Sequence, residues 1–488
     1  PGLARVLTGT LYGIEGRRVR VEADVASSLP GFSLVGLPSA ALRESRERVG
    51  AALRNAGFGW PEGRITVSLA PADLRKDGAA MDLAIAVALL LASGQAPRPR
   101  DDRLRRTLWV GELALDGALR PARGTLALAL DAQAMGVDRL VVPASEAVTL
   151  ADVEGPEIVP LPHLRDLPAV LCRSGPRRRS PAPTGRSAPA PAIAARRLAE
   201  VRGQDRAKRA VLIAAAGGHG LLLQGPPGCG KTMLARRLVD LLPDLDRSTL
   251  QTCRRVRSCA GLAPGDDARP PLRAPHHSVS AVGLVGGGRP VRPGEITLAH
   301  GGVLLLDEMP EFGRQRLDRL REPLGDGHIE LVRSGERVVL PARFQLVATA
   351  NPCPCGWAGS HLDRCRCPAP LLERHRRRLS GPLRDRIDLW VDMDRDPADA
   401  LLAPPSGPSA EDEIVAARRV RAERATAAPL ALDADAREFA GTVADRRGLS
   451  ARALERALSV AATIARLEGA FFFNDTATTE IYTYRPAP

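Results

Sequence analysis

The sequence predicts an α/β multidomain chain: an α+β or α/β first unit, a parallel-sheet core around a phosphate-binding loop, and a helical end. Three observations carry this. The 488 residues are too many for a single hydrophobic core. Short apolar runs alternate with amphipathic stretches in both halves, the pattern of strands and helices packed in layers. Between the halves, 174–194 is rich in Pro, Ala, Ser and Arg, which suits a semi-extended linker and not a core.

Taken in order, residues 1–171 form the first unit. Within it 64–69, 108–110 and 140–142 read as strands, 81–91 as an apolar helix and 126–135 as a second helix. Residues 172–197 are the linker, and 198–403 the core. There 221–223, 303–306 and 345–348 read as strands separated by helices and long insertions, the βα pattern of a parallel sheet. A Pro-rich break at 404–408 opens a helical segment, 404–470, in which Leu454, Leu458, Ala461, Ala462 and Ala465 fall at helical spacing. Residues 471–483 break every trend: three of the eight Phe stand in one run, without Lys or Arg. They resemble translated sequencing-adaptor read-through and read as non-native; 484–488 read as the C-terminal end.

Composition narrows the function classes. At 44% hydrophobic and 26% charged, with no apolar run of bilayer length, the chain reads as globular, with no membrane partner. The first residues form no secretory leader and lack an initiator Met, so we expect a trimmed start and a cytoplasmic location. The net charge of +13 suits a polyanion such as nucleic acid, although many basic proteins bind none. With aromatics at 3%, phosphate contacts by Arg are a better route to DNA than base stacking. Lysine is nearly absent, leaving only Lys76, Lys208 and Lys231.

The chemistry concentrates in two motifs. Gly225-Pro226-Pro227-Gly228-Cys229-Gly230-Lys231-Thr232 follows a strand and precedes a helix read at 233–242. Glycines let the backbone N–H groups curl around phosphate oxygens, and the helix N-terminus adds positive charge. Lys231 would reach the β and γ phosphates of ATP and Thr232 would ligate Mg²⁺. Val303-Leu-Leu-Leu-Asp307-Glu308 supplies the other half: Asp307 for Mg²⁺, Glu308 to polarise the attacking water. We expect the two segments to meet on adjacent parallel strands. Asn351, ending the third strand, could orient the same water, or be an ordinary turn Asn. Arg386 or Arg384 could be an arginine finger, or a surface ion-pair partner; a finger acting in a neighbour's site requires a ring.

Two further groups stand out. Cys353-Pro-Cys355 and Cys365-Arg-Cys367 offer four thiolates within one loop, suited to a structural Zn²⁺, or to reduced cysteines packed as small apolar groups. Arg289 and Arg292 lie in a Gly-rich insertion at 280–295, and Arg333 and Arg337 in a hairpin at 329–340 turning at Ser334-Gly335. Either could grip DNA phosphates, or be a solvated loop.

In this order the motifs resemble the AAA+ ATPases. Between them stand Val201-Arg-Gly-Gln-Asp-Arg-Ala-Lys208, Arg273-Ala-Pro-His-His277, Leu284-Val-Gly-Gly-Gly288, Arg292-Pro-Gly-Glu-Ile296, Asp307-Glu-Met-Pro-Glu-Phe312, Asn351-Pro-Cys-Pro-Cys-Gly356 and Ser380-Gly-Pro-Leu383. These resemble the magnesium-chelatase-like branch and, within it, the ComM/YifB competence family, from about residue 3 to 470. The resemblance implies a homo-oligomeric, hexameric DNA helicase that drives branch migration, acting on branched or single-stranded DNA in recombination and natural transformation. It puts Arg386 at the arginine-finger position and Arg452 at the lid arginine that senses the γ-phosphate. The first unit resembles the Lon-protease domain, with Lys76-Asp-Gly-Ala-Ala-Met-Asp82 at the turn that carries the Lon serine. Here that position is Ala80, and the Lon lysine falls near Leu126, so no peptidase chemistry is expected. The alternatives are a magnesium-chelatase-type ATPase subunit remodelling a protein partner, and a regulatory ATP-binding scaffold or unfoldase.

Overall fold

The computed structural model describes residues 2–172, 198, 201–397, 416–423 and 434–468, apart from positions 38, 40–41, 43, 73, 75, 77–78, 100–101, 264, 266–267, 334–335 and 361–363. The stretch 174–194 read as a linker, the break at 404–408 and the segments 471–483 and 484–488 lie outside the described residues, as do Asp77 and Gly78.

The first unit is built on a mixed sheet. Its strands are β1 (Leu3–Tyr12), β2 (Glu15–Ala26), β3 (Gly31–Val35), β4 (Arg64–Ala70) and β5 (Thr107–Trp109), then the short pair β6 (Glu112–Leu113) and β7 (Leu119–Arg120), then β8 (Arg139–Pro143) and β9 (Glu157–Leu161). Seven of them form one sheet in the order β3-β4-β2-β1-β5-β8-β9, antiparallel about β2 and parallel at both flanks. Side chains alternate across a strand. Val6, Trp109 and Val141 therefore enter one core, which holds the wholly buried helix Asp82–Ala92. Leu7, Leu108, Leu140 and Val142 enter the other, against the helix Thr125–Leu130. That second helix is shorter than the 126–135 read from sequence. It ends at Asp131, whose carboxylate accepts from the Gly16 N–H at 2.7 Å and from Arg255 at 2.8 Å, so the chain turns there.

The second unit holds β10 (Leu221–Gln224), β11 (Leu272–Arg273), the hairpin β12 (Gly286–Gly287) and β13 (Arg292–Pro293), β14 (Val303–Leu306), the hairpin β15 (His328–Arg333) and β16 (Glu336–Pro341), β17 (Gln345–Ala350) and β18 (Leu389–Asp392). Five strands make a fully parallel sheet, β11-β14-β17-β10-β18. Alternation again divides two cores. Leu221, Leu223, Val303 and Leu305 face one and Leu222, Leu304, Leu306 and Leu346 the other. Both faces being covered explains the unbroken apolar runs.

Three expectations need correction. β10 and β14 are not adjacent: β17 lies between them, hydrogen-bonded to both. The helix read at 233–242 starts at Lys231, because Gly230 takes φ 91° and opens the turn, and it tightens after Arg237 into a 3₁₀ turn, Leu238–Leu241. The helical end is not continuous. Besides helical residues 416–423, it comprises Ala434–Arg447 and Ala451–Glu468, broken at Gly448 with φ 59°. On the last helix Val460, Ala462, Thr463 and Ile464 are buried, whereas Leu454, Leu458, Ala461 and Ala465 are half-buried. Among the described residues no helix is long and apolar enough to cross a membrane.

Candidate nucleotide site

The phosphate loop leaves β10 at Gln224, and the acidic pair leaves β14 at Leu306, at the same end of the parallel sheet. Ligands gather at that end in open α/β sheets. A side chain at Gly225 would put its Cβ 2.4 Å from the Met393 carbonyl oxygen, so only glycine lets the loop pass β18. Gly228 and Gly230 take φ of 80° and 91°, which L-residues rarely adopt.

Lys231 is buried, and its ammonium donates to the loop's own carbonyls, Gly225 O at 2.7 Å and Pro226 O at 2.8 Å. Burial lowers its pKa from 10.5, and the nearby Cys229, Asp307 and Glu308 oppose that shift. Thr232 donates through Oγ1 to Asp307 Oδ1 at 2.7 Å. A hydroxyl and a carboxylate converging on one point are hard oxygen donors of the kind Mg²⁺ takes. The donor set therefore fits Mg²⁺ held by Thr232 and Asp307, with a triphosphate along the loop.

A residue that the motif reading missed ties this corner together. Thr349, fully buried on β17, donates to Asp307 Oδ1 at 2.6 Å and accepts from the Glu308 N–H at 2.9 Å. Glu308 is one of three non-glycine residues at positive φ among those described, at 53°. Its N–H bond to Thr349 holds that sparsely populated backbone, and the exposed carboxylate sits at the mouth of the site. The only sequence signal for Thr349 was a hydroxyl within the largely apolar run after Gln345. Gln204, also at positive φ, closes the neighbouring wall by donating to Asp394 O at 2.5 Å and Asp396 Oδ2 at 2.9 Å.

Asn351 follows β17 directly, where the Ala350 carbonyl accepts from the Gly225 N–H at 3.1 Å, so it stands between the loop and the acidic pair. Its own carbonyl accepts from His375 Nε2 at 3.0 Å. Arg386 and Arg452 are not brought to this corner. Arg386 precedes β18, whose Leu389 pairs with Leu221, the first residue of β10. It therefore lies at the opposite end of the sheet from the loop, about 13 Å away along a four-residue strand. It donates to Pro382 O at 2.8 Å, and burial together with Arg452, Arg321 and Arg456 lowers its pKa. Arg384 stacks over the Trp390 ring at 5.4 Å.

Elsewhere, Cys353, Cys355, Cys365 and Cys367 gather with all four sulfurs within 4.8 Å of one another. Arg289 and Arg292 are exposed on the small β12–β13 hairpin. Arg333 pairs with Glu336 in the register of the β15–β16 hairpin, whose turn at Ser334 and Gly335 lies outside the described residues. Arg337 is ion-paired to Glu330 at 2.6 Å across that hairpin.

Comparison with known proteins finds relatives along nearly the whole chain. Residues 197–401 match the family model for magnesium chelatase, subunit ChlI, and residues 21–146 match the model for subunit ChlI of Mg-chelatase. An uncharacterised protein of Mycobacterium tuberculosis is 42% identical, covering 96% of this chain and 95% of its own length. The uncharacterised protein YifB of Escherichia coli is 40% identical, with 96% and 94% covered. The competence protein ComM of Haemophilus influenzae is 37% identical, with 96% and 94% covered. The magnesium-chelatase 67 kDa subunit of Heliobacterium mobile is 30% identical but covers only 34% of this chain.

Proposed function

The chain belongs to the ComM/YifB family, which carries ChlI-type magnesium-chelatase domains, and from that premise we propose that it is a ring-forming motor driven by ATP hydrolysis at the Lys231–Asp307 corner. The observation that carries this is the 2.7 Å bond between Thr232 and Asp307, which brings the phosphate loop and the acidic strand to one cation position. When bound there, Mg²⁺ would offset charge on the β and γ phosphates. Lys231 would exchange the Gly225 and Pro226 carbonyls for phosphate oxygens. Glu308 would take a proton from the attacking water and Asn351 would orient that water. Arg386, at the far end of the sheet, stands away from the Lys231–Asp307 corner of its own chain. It fits the site of the next copy in a homo-oligomeric, hexameric ring, where such a finger is worth roughly 10³ to 10⁵ in rate. Arg452, near Arg386 and likewise away from its own chain's loop, would sense the γ-phosphate of the next copy's site from the lid.

What the motor moves has two readings. The ChlI family matches favour a chelatase-type ATPase that remodels a protein partner. Similarity to a competence protein along nearly the whole chain, with the net charge of +13, favours a DNA motor that drives branch migration. Arg289, Arg292, Arg333 and Arg337 would then grip phosphates. The first unit fits a non-catalytic, Lon-like scaffold. Ala80 packs against the core containing Leu126, and neither side chain offers a nucleophile or a base.

One assay separates these readings. Purified chain with ATP and Mg²⁺ is given a branched DNA junction, and its ATPase is measured with and without DNA. Junction migration abolished by Lys231→Ala supports the DNA motor. ATPase indifferent to DNA but stimulated by a captured protein partner supports remodelling, and ATPase that survives Lys231→Ala overturns the shared site.

A further inference from the structure

We propose that Cys353, Cys355, Cys365 and Cys367 bind one structural zinc ion that pins the turn after Asn351 against the phosphate loop. Sulfurs bound to zinc at about 2.3 Å in a tetrahedron stand about 3.8 Å from one another. Here Cys353 lies 3.8 Å from Cys365, and Cys355 lies 3.7 Å from Cys365. Cys353 and Cys355 are 3.2 Å apart, well beyond the roughly 2.05 Å of a disulfide. All four cysteines are free, and the group is one in which every residue offers a single sulfur. Two short legs, Cys353-Pro-Cys355 and Cys365-Arg-Cys367, supply a pair each and meet at the cluster. The Ala358 N–H donates to Cys353 Sγ at 3.3 Å, the kind of outer hydrogen bond that orients a metal thiolate. With four protein ligands the coordination is closed, which makes the ion structural and not catalytic.

The cluster is wedged into the nucleotide site. A Cβ on Gly356, inside the cysteine turn, would fall 2.8 Å from Pro227 Cδ and 3.9 Å from Asn351 Cγ. Arg395 donates to the Pro227 carbonyl at 3.2 Å, and both Arg395 and Arg364 lie 5.0 Å from the Trp357 ring centre. Ser360 donates to Asp394 at 3.4 Å. The turn therefore touches the tip of the phosphate loop on one side and Asn351 on the other. A metal holding its ends would fix both.

Metal binding stands apart from the ATPase reading; the pinning rests on it. Elemental analysis of the full chain, with thiol counting, tests the first part. About one zinc per chain, released by a mercurial and largely lost in the Cys365→Ser/Cys367→Ser variant, is expected. Cobalt substitution should give an intense thiolate-to-cobalt charge-transfer band. Iron in place of zinc, or four reactive thiols on a metal-free, folded chain, overturns the site. For the second part, stripped wild type that keeps its circular dichroism should lose about tenfold in kcat with KM for ATP within about twofold, and added zinc should restore it. Unchanged kcat in the stripped chain overturns the pinning. Should wild type hydrolyse no ATP at all, the proposed motor fails while the metal stoichiometry still decides the site.

Discussion

At Asp307 two hydroxyls converge on a single carboxylate oxygen, Thr232 at 2.7 Å and Thr349 at 2.6 Å. The two differ in what they can do when a cation arrives. Thr232 sits half-buried in the first turn of the helix that follows the loop, where its oxygen could turn from Asp307 to a metal. Thr349 is buried and also accepts from the Glu308 N–H at 2.9 Å, so it fixes the carboxylate and the neighbouring backbone together. Hydrogen bonds to a charged group are worth about 1.5–3 kcal/mol, equivalent to roughly ten- to a hundredfold in rate if the geometry they hold is needed for hydrolysis. Thr349→Val, which keeps the shape, should therefore lower kcat for ATP by about that factor, and Thr349→Ser should retain most of it. Steady-state ATPase measurements with both variants check this. The loop and the acidic pair were legible because their chemistry demands glycines, a lysine and carboxylates at fixed spacing. Thr349 was not, since a β-branched hydroxyl residue in a strand is ordinary and its partner is 42 residues away.

Among the elements, β17 positions the site and the last helix fastens the opposite end of the sheet. Each strand was readable from its apolar run, but periodicity is local and says nothing of lateral order. The order is set by the crossovers, and here a later strand, β17, is inserted between β10 and β14. That insertion brings Thr349 and Asn351 to the site. The last helix, Ala451–Glu468, latches to the start of β18. Arg456 donates to Asp388 Oδ1 at 2.8 Å, Thr463 bonds His219 at 2.8 Å, and the Gly220 N–H donates to Asp388 Oδ2 at 2.8 Å. Burial raises the Asp388 pKa, but the His219 ring, Arg456 and Gly220 N–H together outweigh it and hold the group below its ordinary 3.8. A carboxyl that ionises more readily in the folded state contributes stability that is complete above the unfolded pKa of about 3.9 and is lost as pH falls through the folded value. The difference in Tm between wild type and Asp388→Asn should thus be constant near neutrality and shrink below about pH 4. A gap that stays constant into acid would dissociate the latch from the ionised carboxylate.

Over the whole molecule, the two units share a core. Ile14 and Ala127 of the first unit are buried with Val338, Leu340 and Leu304 of the second. Polar contacts flank them: Arg255 to Asp131 at 2.8 Å, Arg247 to Glu154 at 2.6 Å, and the Tyr12 hydroxyl to the Arg337 carbonyl at 3.2 Å. The composition break at 174–194, outside the described residues, said nothing of how the units pack, and the apolar residues involved, Leu11, Tyr12 and Ile14, sit at a strand end where exposure was equally plausible. Gly13 shows how close the fit is: at φ 63° its Cβ would meet Val338 Cγ1 at 2.4 Å. The β15–β16 hairpin is therefore braced from behind by the β1–β2 turn. Its side chains on the other face, Val332 and Val339, stay exposed at 64% and 50%. If the hairpin carries the load, loosening the brace should uncouple load from fuel. Ile14→Ala removes apolar contact worth about 2–5 kcal/mol where a buried isoleucine is fully packed. It should raise hydrogen exchange across His328–Arg333 and Glu336–Pro341 and reduce stimulation of the ATPase by its substrate. Basal hydrolysis should remain within about twofold, since the Thr232–Asp307 corner lies on other elements. Equal losses of basal and stimulated rates would mean that the first unit supports the ATPase fold as a whole and not the hairpin.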